Sequence, residues 1–419
     1  MTRIQQRTIR WSVFLILGQI LSLGGEISAA DRTLTLEIGD PARKGKQSPL
    51  VFDAITDTRT DELLSPAELA EHLADKRMVL VGESHTDIDF HRAQLRMIQE
   101  LHAAGRSVLV GLEMYPYTRQ EYLDDWVAGY LTEKGFLEAS EWYDSWGYHW
   151  NYYRDIFLFA RDHELPMYAL NTPREVVTAV RKKGFDELTE EEREQLPPSI
   201  DTDSEEHFQL FKAFFADDES GMHFEMTDEQ WRGMFDAQCT WDASFGYNGL
   251  KALENHPEDE AILVVLVGSG HTTYDLGIQR QVANWSDVPI ATVIPISVRQ
   301  WDETEVIDKV QSSYADFIWG MPPQTYPIYP SLGVSSRLDE ESGHRTVIHV
   351  EEDSVGARAG FELGDVLLEF DGHPIDDQSE LRRLMAEKRW GDRATFKIER
   401  DGEATILDVE FRRTLPEIE

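Results

Sequence analysis

Residues 78–101 read MVLVGESHTDIDFHRAQLRMIQEL, and this stretch decides the fold. Residues 78–81 are an apolar run of strand length, and Gly82 ends it. Glu83, Ser84 and His85 follow at once, and then Ile88, His91, Leu95, Ile98 and Leu101 recur at helical spacing. Strand, tight turn and helix in succession form the unit of an open α/β sheet, whose ligands bind beyond the carboxyl ends of the strands. Glu83 and His85 stand at such an end. Far downstream, the apolar run 262–267 leads into Gly268-Ser269-Gly270-His271. Two strands that each end in Gly-x-x-His are explained most simply by one shared site.

Working outward, further strands are expected at 107–114, which places Glu113 at its end, at 166–170, which ends before Asn171, and at 289–296. Helical segments alternate with them. One opens at Ser65-Pro66-Ala67-Glu68, where Ser65 and Glu68 make a capping box and Pro66 takes the first turn. Strands alternating with helices give a doubly wound, mainly parallel α/β domain. Residues 115–163 are dense in rings, above all EWYDSWGYHWNYY at 141–153. From spacing alone these are core, with the wall of a flat ligand slot as the other reading. Near Gly320 the texture changes to a Pro-rich stretch and then to short alternating segments around one helix at 378–388, a small β-rich module. The expected divisions are a signal peptide over 1–30, a loose segment over 31–50, the α/β domain over 51–318, a linker over 319–330 and the β-rich module over 331–415.

Composition narrows the function. The chain has 419 residues, enough for two domains with real cores, and a formal net charge of −38. Such a field repels nucleic acid, which is set aside as a partner, and anionic membrane surfaces. Cys239 is the single cysteine, so no intramolecular disulfide and no cysteine-rich metal site are possible. Arg3, Arg7 and Arg10 precede an apolar run over 11–23, and Ser28-Ala29-Ala30 offers small residues for cleavage. This predicts export to the periplasm or beyond; an uncleaved anchor is the alternative reading.

Four polar positions are expected to gather at one sheet edge: Glu83, His85, Glu113 and His271. His91 lies close enough along its helix to join them as a metal ligand. Imidazole with carboxylate suits zinc, manganese or iron. Glu83 and Glu113 can instead orient the imidazoles or act as general base in a metal-dependent hydrolase.

These residues carry a resemblance. Gly82-Glu83-Ser84-His85 with His91-Arg92-Ala93-Gln94-Leu95, Gly111-Leu112-Glu113-Met114, Ala237-Gln238 with Trp241-Asp242, and Gly268-Ser269-Gly270-His271 with Tyr274 and Gly277-Ile278 resemble the ordered motifs of the ChaN-like haem-binding family in the Tiki superfamily. The match covers roughly residues 50–300. It departs at Ser244-Phe245, where the family usually has Met-Ala, and at Gln279, where it usually has Pro. The resemblance implies haem or iron handling outside the cytoplasm, with haem held by tyrosine between paired subunits, hence a homodimer. No motif carries the tyrosine over; Tyr115, Tyr148 and Tyr152 are candidates by their place beside the site. Other branches of the superfamily imply a divalent-metal hydrolase in which His85, His271 and Glu113 hold the ion. The C-terminal module resembles an exported PDZ domain through Ser331-Leu332-Gly333-Val334, its carboxylate-binding loop, and through Leu363-Gly364-Asp365-Val366-Leu367. That resemblance implies a partner protein whose extended C-terminal tail is added as a strand. A third reading is a non-catalytic scaffold.

Overall fold

The computed structural model describes residues 33–214, 226–257, 261–298, 308–323, 327–339, 343–375 and 378–413. The expected signal peptide therefore lies outside the described residues. Among the described residues no helix is long and apolar enough to cross a membrane.

The strands, in chain order, are β1 (Gln47–Pro49), β2 (Ile55–Asp57), β3 (Leu63–Leu64), β4 (Met78–Glu83), β5 (Ser107–Pro116), β6 (Met167–Asn171), β7 (Ala261–Gly268), β8 (Ile290–Ser297), β9 (Lys309–Gln311) and β10 (Phe317–Met321). An eight-stranded sheet runs β3-β2-β10-β8-β4-β7-β5-β6. Its body is parallel, and β2 and β3 close one edge antiparallel. β4 lies between β7 and β8, with Glu83 opposite Gly268. Helices cover both faces, so β4 and β7 are buried along their whole length, which is why both read as continuous apolar runs. One face packs the helix Ile88–Ala103 and the aromatic region against Val79, Val81 and Val264. The other packs Phe245, Leu253 and Val282 against Leu80, Leu263 and Val265. The Ser65 capping box forms as the sequence indicates.

Two stretches differ from expectation. Residues 33–50 are not a loose lead-in. Leu34, Ile38 and Leu50 are buried, β1 pairs with β9, and the buried Arg43 bridges Asp40, Asp275 and Asp316. The segment is tied down by this ion-pair network although Lys44, Lys46 and Gln47 face solvent. The main domain also continues past 318, because β10 pairs parallel with β8 through Met321. Gly320 misleads there: a Cβ on it would stand 2.0 Å from the carbonyl oxygen of Val51, so glycine serves close packing rather than a linker.

The second body is an antiparallel sheet of β11 (Val334–Leu338), β12 (Arg345–Val350), β13 (Val366–Phe370), β14 (His373–Pro374), β15 (Arg393–Arg400) and β16 (Glu403–Glu410), in the order β11-β12-β13-β15-β16 with β14 on β13. Its core centres on Phe361, Phe370, Phe396 and Phe411, with Leu381 and Leu384 of the helix Gln378–Ala386. β11 is an edge strand of this sheet. The helix rests on the short helix Trp142–Ser145 of the main domain.

Candidate metal and ligand site

The carboxyl ends of β4, β5 and β7 bring together the residues marked by the strand-end motifs. Gly82 allows this closeness, since a Cβ there would meet Ser269 Oγ at 2.7 Å. Ligand atoms of Glu83, His85 and Glu113 all lie within 4.8 Å of one another. His271 joins them through Glu113, its Nε2 lying 3.5 Å from Oε1.

Each imidazole is oriented by its own carboxylate. His85 Nδ1 donates to Glu83 Oε1 at 2.7 Å. Its Nε2 side faces Gly268, where a Cβ would sit 3.6 Å from Nε2 and 3.7 Å from Glu113 Oε2. His271 Nδ1 donates to Asp242 Oδ1 at 2.6 Å, and its Nε2 faces Glu113. His271 thus presents Nε2 to Glu113 and His85 lies within 4.8 Å of the same carboxylate, with each ring held from behind by its own carboxylate. Two imidazoles and a carboxylate form a donor set for iron or zinc. Glu113 is itself fixed by the amide of Gly268, which donates to Oε2 at 2.7 Å.

Glu83 belongs to that cluster and is also held by its own neighbours. Tyr153 donates to Oε1 at 2.6 Å, and Gln94 donates to Oε2 at 2.7 Å. His91 Nδ1 lies 3.3 Å from Oε2 and 3.1 Å from Gln94 Oε1, while its Nε2 donates to the carbonyl of His85 at 3.2 Å. Both nitrogens of His91 are engaged, so it leaves no lone pair for the Glu113 side and braces the strand end. Burial pushes the Glu83 carboxyl up, but the charge of His91 and the hydrogen bonds of His85 and His91 outweigh it and hold the group well below the usual range. The same pairing raises His91 against its own burial. His271 behaves alike: burial pulls it down, yet Asp242 and Glu113 push it up to about 10. Asp242 is raised by burial, with His271 opposing.

The three candidate tyrosines fall in different places. Tyr115, expected beside the site, is in the core: it is fully buried, hydrogen-bonds Ser140 Oγ at 2.7 Å, and its phenol is raised by burial. Tyr152 packs near His91, with ring centroids 5.7 Å apart. Tyr148 lies on His85 itself, ring centroids 4.8 Å apart, and Trp146 meets the same imidazole at 4.7 Å. Burial raises both of these phenols too. Of three supporting residues, Gln94 and Asp242 stand in the motifs quoted above but were not named as site members, and Tyr153 was not singled out. The i, i+3 spacing of His91 with Gln94 and the i, i+4 spacing of Gln238 with Asp242 were the available signals. Gln238 lies 2.9 Å from His271 Nδ1. One departure from the family pattern, Phe245, packs edge-on to His271 at 5.1 Å.

The family described as haem-binding uptake, Tiki superfamily, ChaN matches residues 69–282. The chain belongs to the ChaN family. A PDZ domain matches residues 330–411. A solved structure described as cofacial haem binding to ChaN of Campylobacter jejuni is 18% identical, has a TM-score of 0.49, and covers 63% of this chain and 95% of that one. Two curated relatives are probable periplasmic serine endoproteases of DegP-like type. That from Rhizobium meliloti is 29% identical over 155 residues, 35% of this chain and 30% of the relative. That from Pseudomonas putida is 36% identical over 78 residues, 19% of this chain and 16% of the relative. The chain thus spans less than a third of these relatives, and the likeness concerns the PDZ region. In the ChaN domain the motif residues 82–85, 111–114 and 268–271 are the strand ends just described.

Proposed function

We propose that the ChaN domain captures iron, as haem or as the ion, at the carboxyl edge of its sheet, and that the chain serves iron uptake outside the cytoplasm. The PDZ module docks it on a partner's C-terminal tail, received at the open edge of β11 beyond Ser331, Leu332, Gly333 and Val334. The observation that carries the reading is that His85, within 4.8 Å, and His271, at 3.5 Å, both lie by Glu113, each imidazole backed by a carboxylate. The donor set fits a bare ion directly. A flat macrocycle reaches His85 only if Trp146 and Tyr148 swing off its ring. The exported setting is supported by the leader-like first thirty residues and by the periplasmic naming of the PDZ relatives.

The test is a haemin titration of the mature protein by absorbance, with its metal content as purified recorded on the same sample. A saturable Soret shift that weakens in Tyr148→Phe or Tyr152→Phe supports haem capture. A second reading, a divalent-metal hydrolase, is favoured by the closeness of Glu83, His85 and Glu113, within 4.8 Å. Near-stoichiometric zinc or manganese, lost in His85→Ala and His271→Ala, with no Soret shift, moves the assignment there. If both alanine variants keep haemin and metal binding intact, the shared site is wrong.

A further inference from the structure

We infer that Arg382, on the PDZ helix Gln378–Ala386, is a positioning residue for the site in the ChaN domain. The inference rests on the site reading above and adds to it a residue outside the ChaN fold. Arg382 reaches out of its own domain. Its Nη1 donates to the carbonyl of Tyr143 at 3.1 Å. Its guanidinium fills the space beside Gly147, where a Cβ would stand 2.5 Å from Cζ. Gly147 has φ +86°, a conformation that favours glycine, so the turn is shaped around the guanidinium. Burial in that turn lowers the Arg382 pKa, and Arg174 adds to this, while Tyr148 and Asp144 oppose it. A half-buried cation set against a neighbouring domain loses part of its hydration, so its placement calls for a role.

A second pin lies next to it. His149 Nε2 donates to the carbonyl of Ala386 at 2.9 Å, and the ring stacks on Tyr329 at 3.5 Å and 6°. Between these pins the chain carries Trp146 and Tyr148, the two rings that lie against His85. One short turn therefore touches the PDZ helix on one side and a site imidazole on the other. Arg382 fixes the turn, the turn fixes the rings, and the rings fix His85 and its access. The helix that carries Arg382 belongs to the module read as receiving a tail, so the two binding events share a wall.

The experiment uses the full chain, with Co²⁺ and haemin as separate probes. In Arg382→Ala the Co²⁺ affinity falls about 3- to 30-fold, the size typical of coupling through packed residues, and the visible cobalt bands shift. Arg382→Lys restores part of the loss. Arg383→Ala leaves both readouts unchanged, because Arg383 is exposed and pairs with Glu380 of its own helix and with Glu387 just past its end. Gly147→Ala perturbs the same contact from the other side without altering the PDZ helix, and it decides the matter if Arg382→Ala fails to fold. Folded Arg382→Ala or Gly147→Ala protein with wild-type cobalt affinity and spectrum overturns the inference. A wild-type chain that binds neither Co²⁺ nor haemin removes the site reading, and this inference with it.

Discussion

Glu83 shows how one residue in this site serves another. Its two oxygens take contacts from His85, Tyr153, Gln94 and His91, so its charge is compensated inside the protein. A buried carboxylate is tolerable only with such partners. Tyr153→Phe removes one charge-assisted hydrogen bond with little change of shape. It should lower the stability of the main domain by about 1.5–3 kcal/mol, read from chemical unfolding, because hydrogen bonds to charged groups are worth that much. Loss of less than about 0.5 kcal/mol would mean that Glu83 does not need the phenol. At this scale the gathering of the strand ends was legible, since two Gly-x-x-His motifs after apolar runs point to one sheet edge where either alone is a weak signal. Tyr153 was not, because it sits in a run of rings where packing and partnership look alike. Tyr115 was misplaced for the same reason: it follows Glu113 in sequence, yet its side chain turns into the core.

Among elements, the seam between the PDZ helix and the aromatic turn sets a pH dependence. His149 keeps its Nε2 proton for Ala386, and its Nδ1 accepts from the amide of Asn151 at 3.1 Å. Burial, with Arg389 nearby, lowers its pKa from 6.5 to about 4, against the Ala386 bond. The rings of Tyr152 and Tyr329 and the guanidinium of Arg389 face it, and none supplies a negative charge. The unfolded chain takes up this proton below pH 6.5 while the folded chain resists it until about 4. Stability is therefore lost as pH falls through that window, by up to about 1.4 kcal/mol per pH unit. His149→Gln keeps a donor for Ala386 without titrating. Urea midpoints at pH 7 and pH 5 should differ less in that variant, and an equal difference would rule His149 out. The helices and inner strands were legible because their apolar periods are long. The short strands β2, β3 and β10 were not, since two to five residues give too little period to read.

For the whole molecule, the balance of 78 acidic against 40 basic residues leaves a self-repelling surface. Raising NaCl from about 20 mM to about 500 mM shortens the Debye length severalfold and should raise the melting temperature. A flat or falling response would show that the acidic groups are already compensated by their neighbours. The two-domain plan was legible from the change in texture near Gly320, but the join was drawn too early because a glycine chosen for close packing looks like one chosen for flexibility. The sheet order carries one more consequence. β4 is made early, yet its neighbours β7 and β8 begin at Ala261 and Ile290. A chain emerging from its amino end cannot complete its central strand until nearly the whole domain is available. Folding must then wait for contacts between distant parts of the chain, the slow kind. During that wait an apolar strand with bare edges on both sides is exposed to other chains, so this domain is one that benefits from a holdase until residue 297 is out.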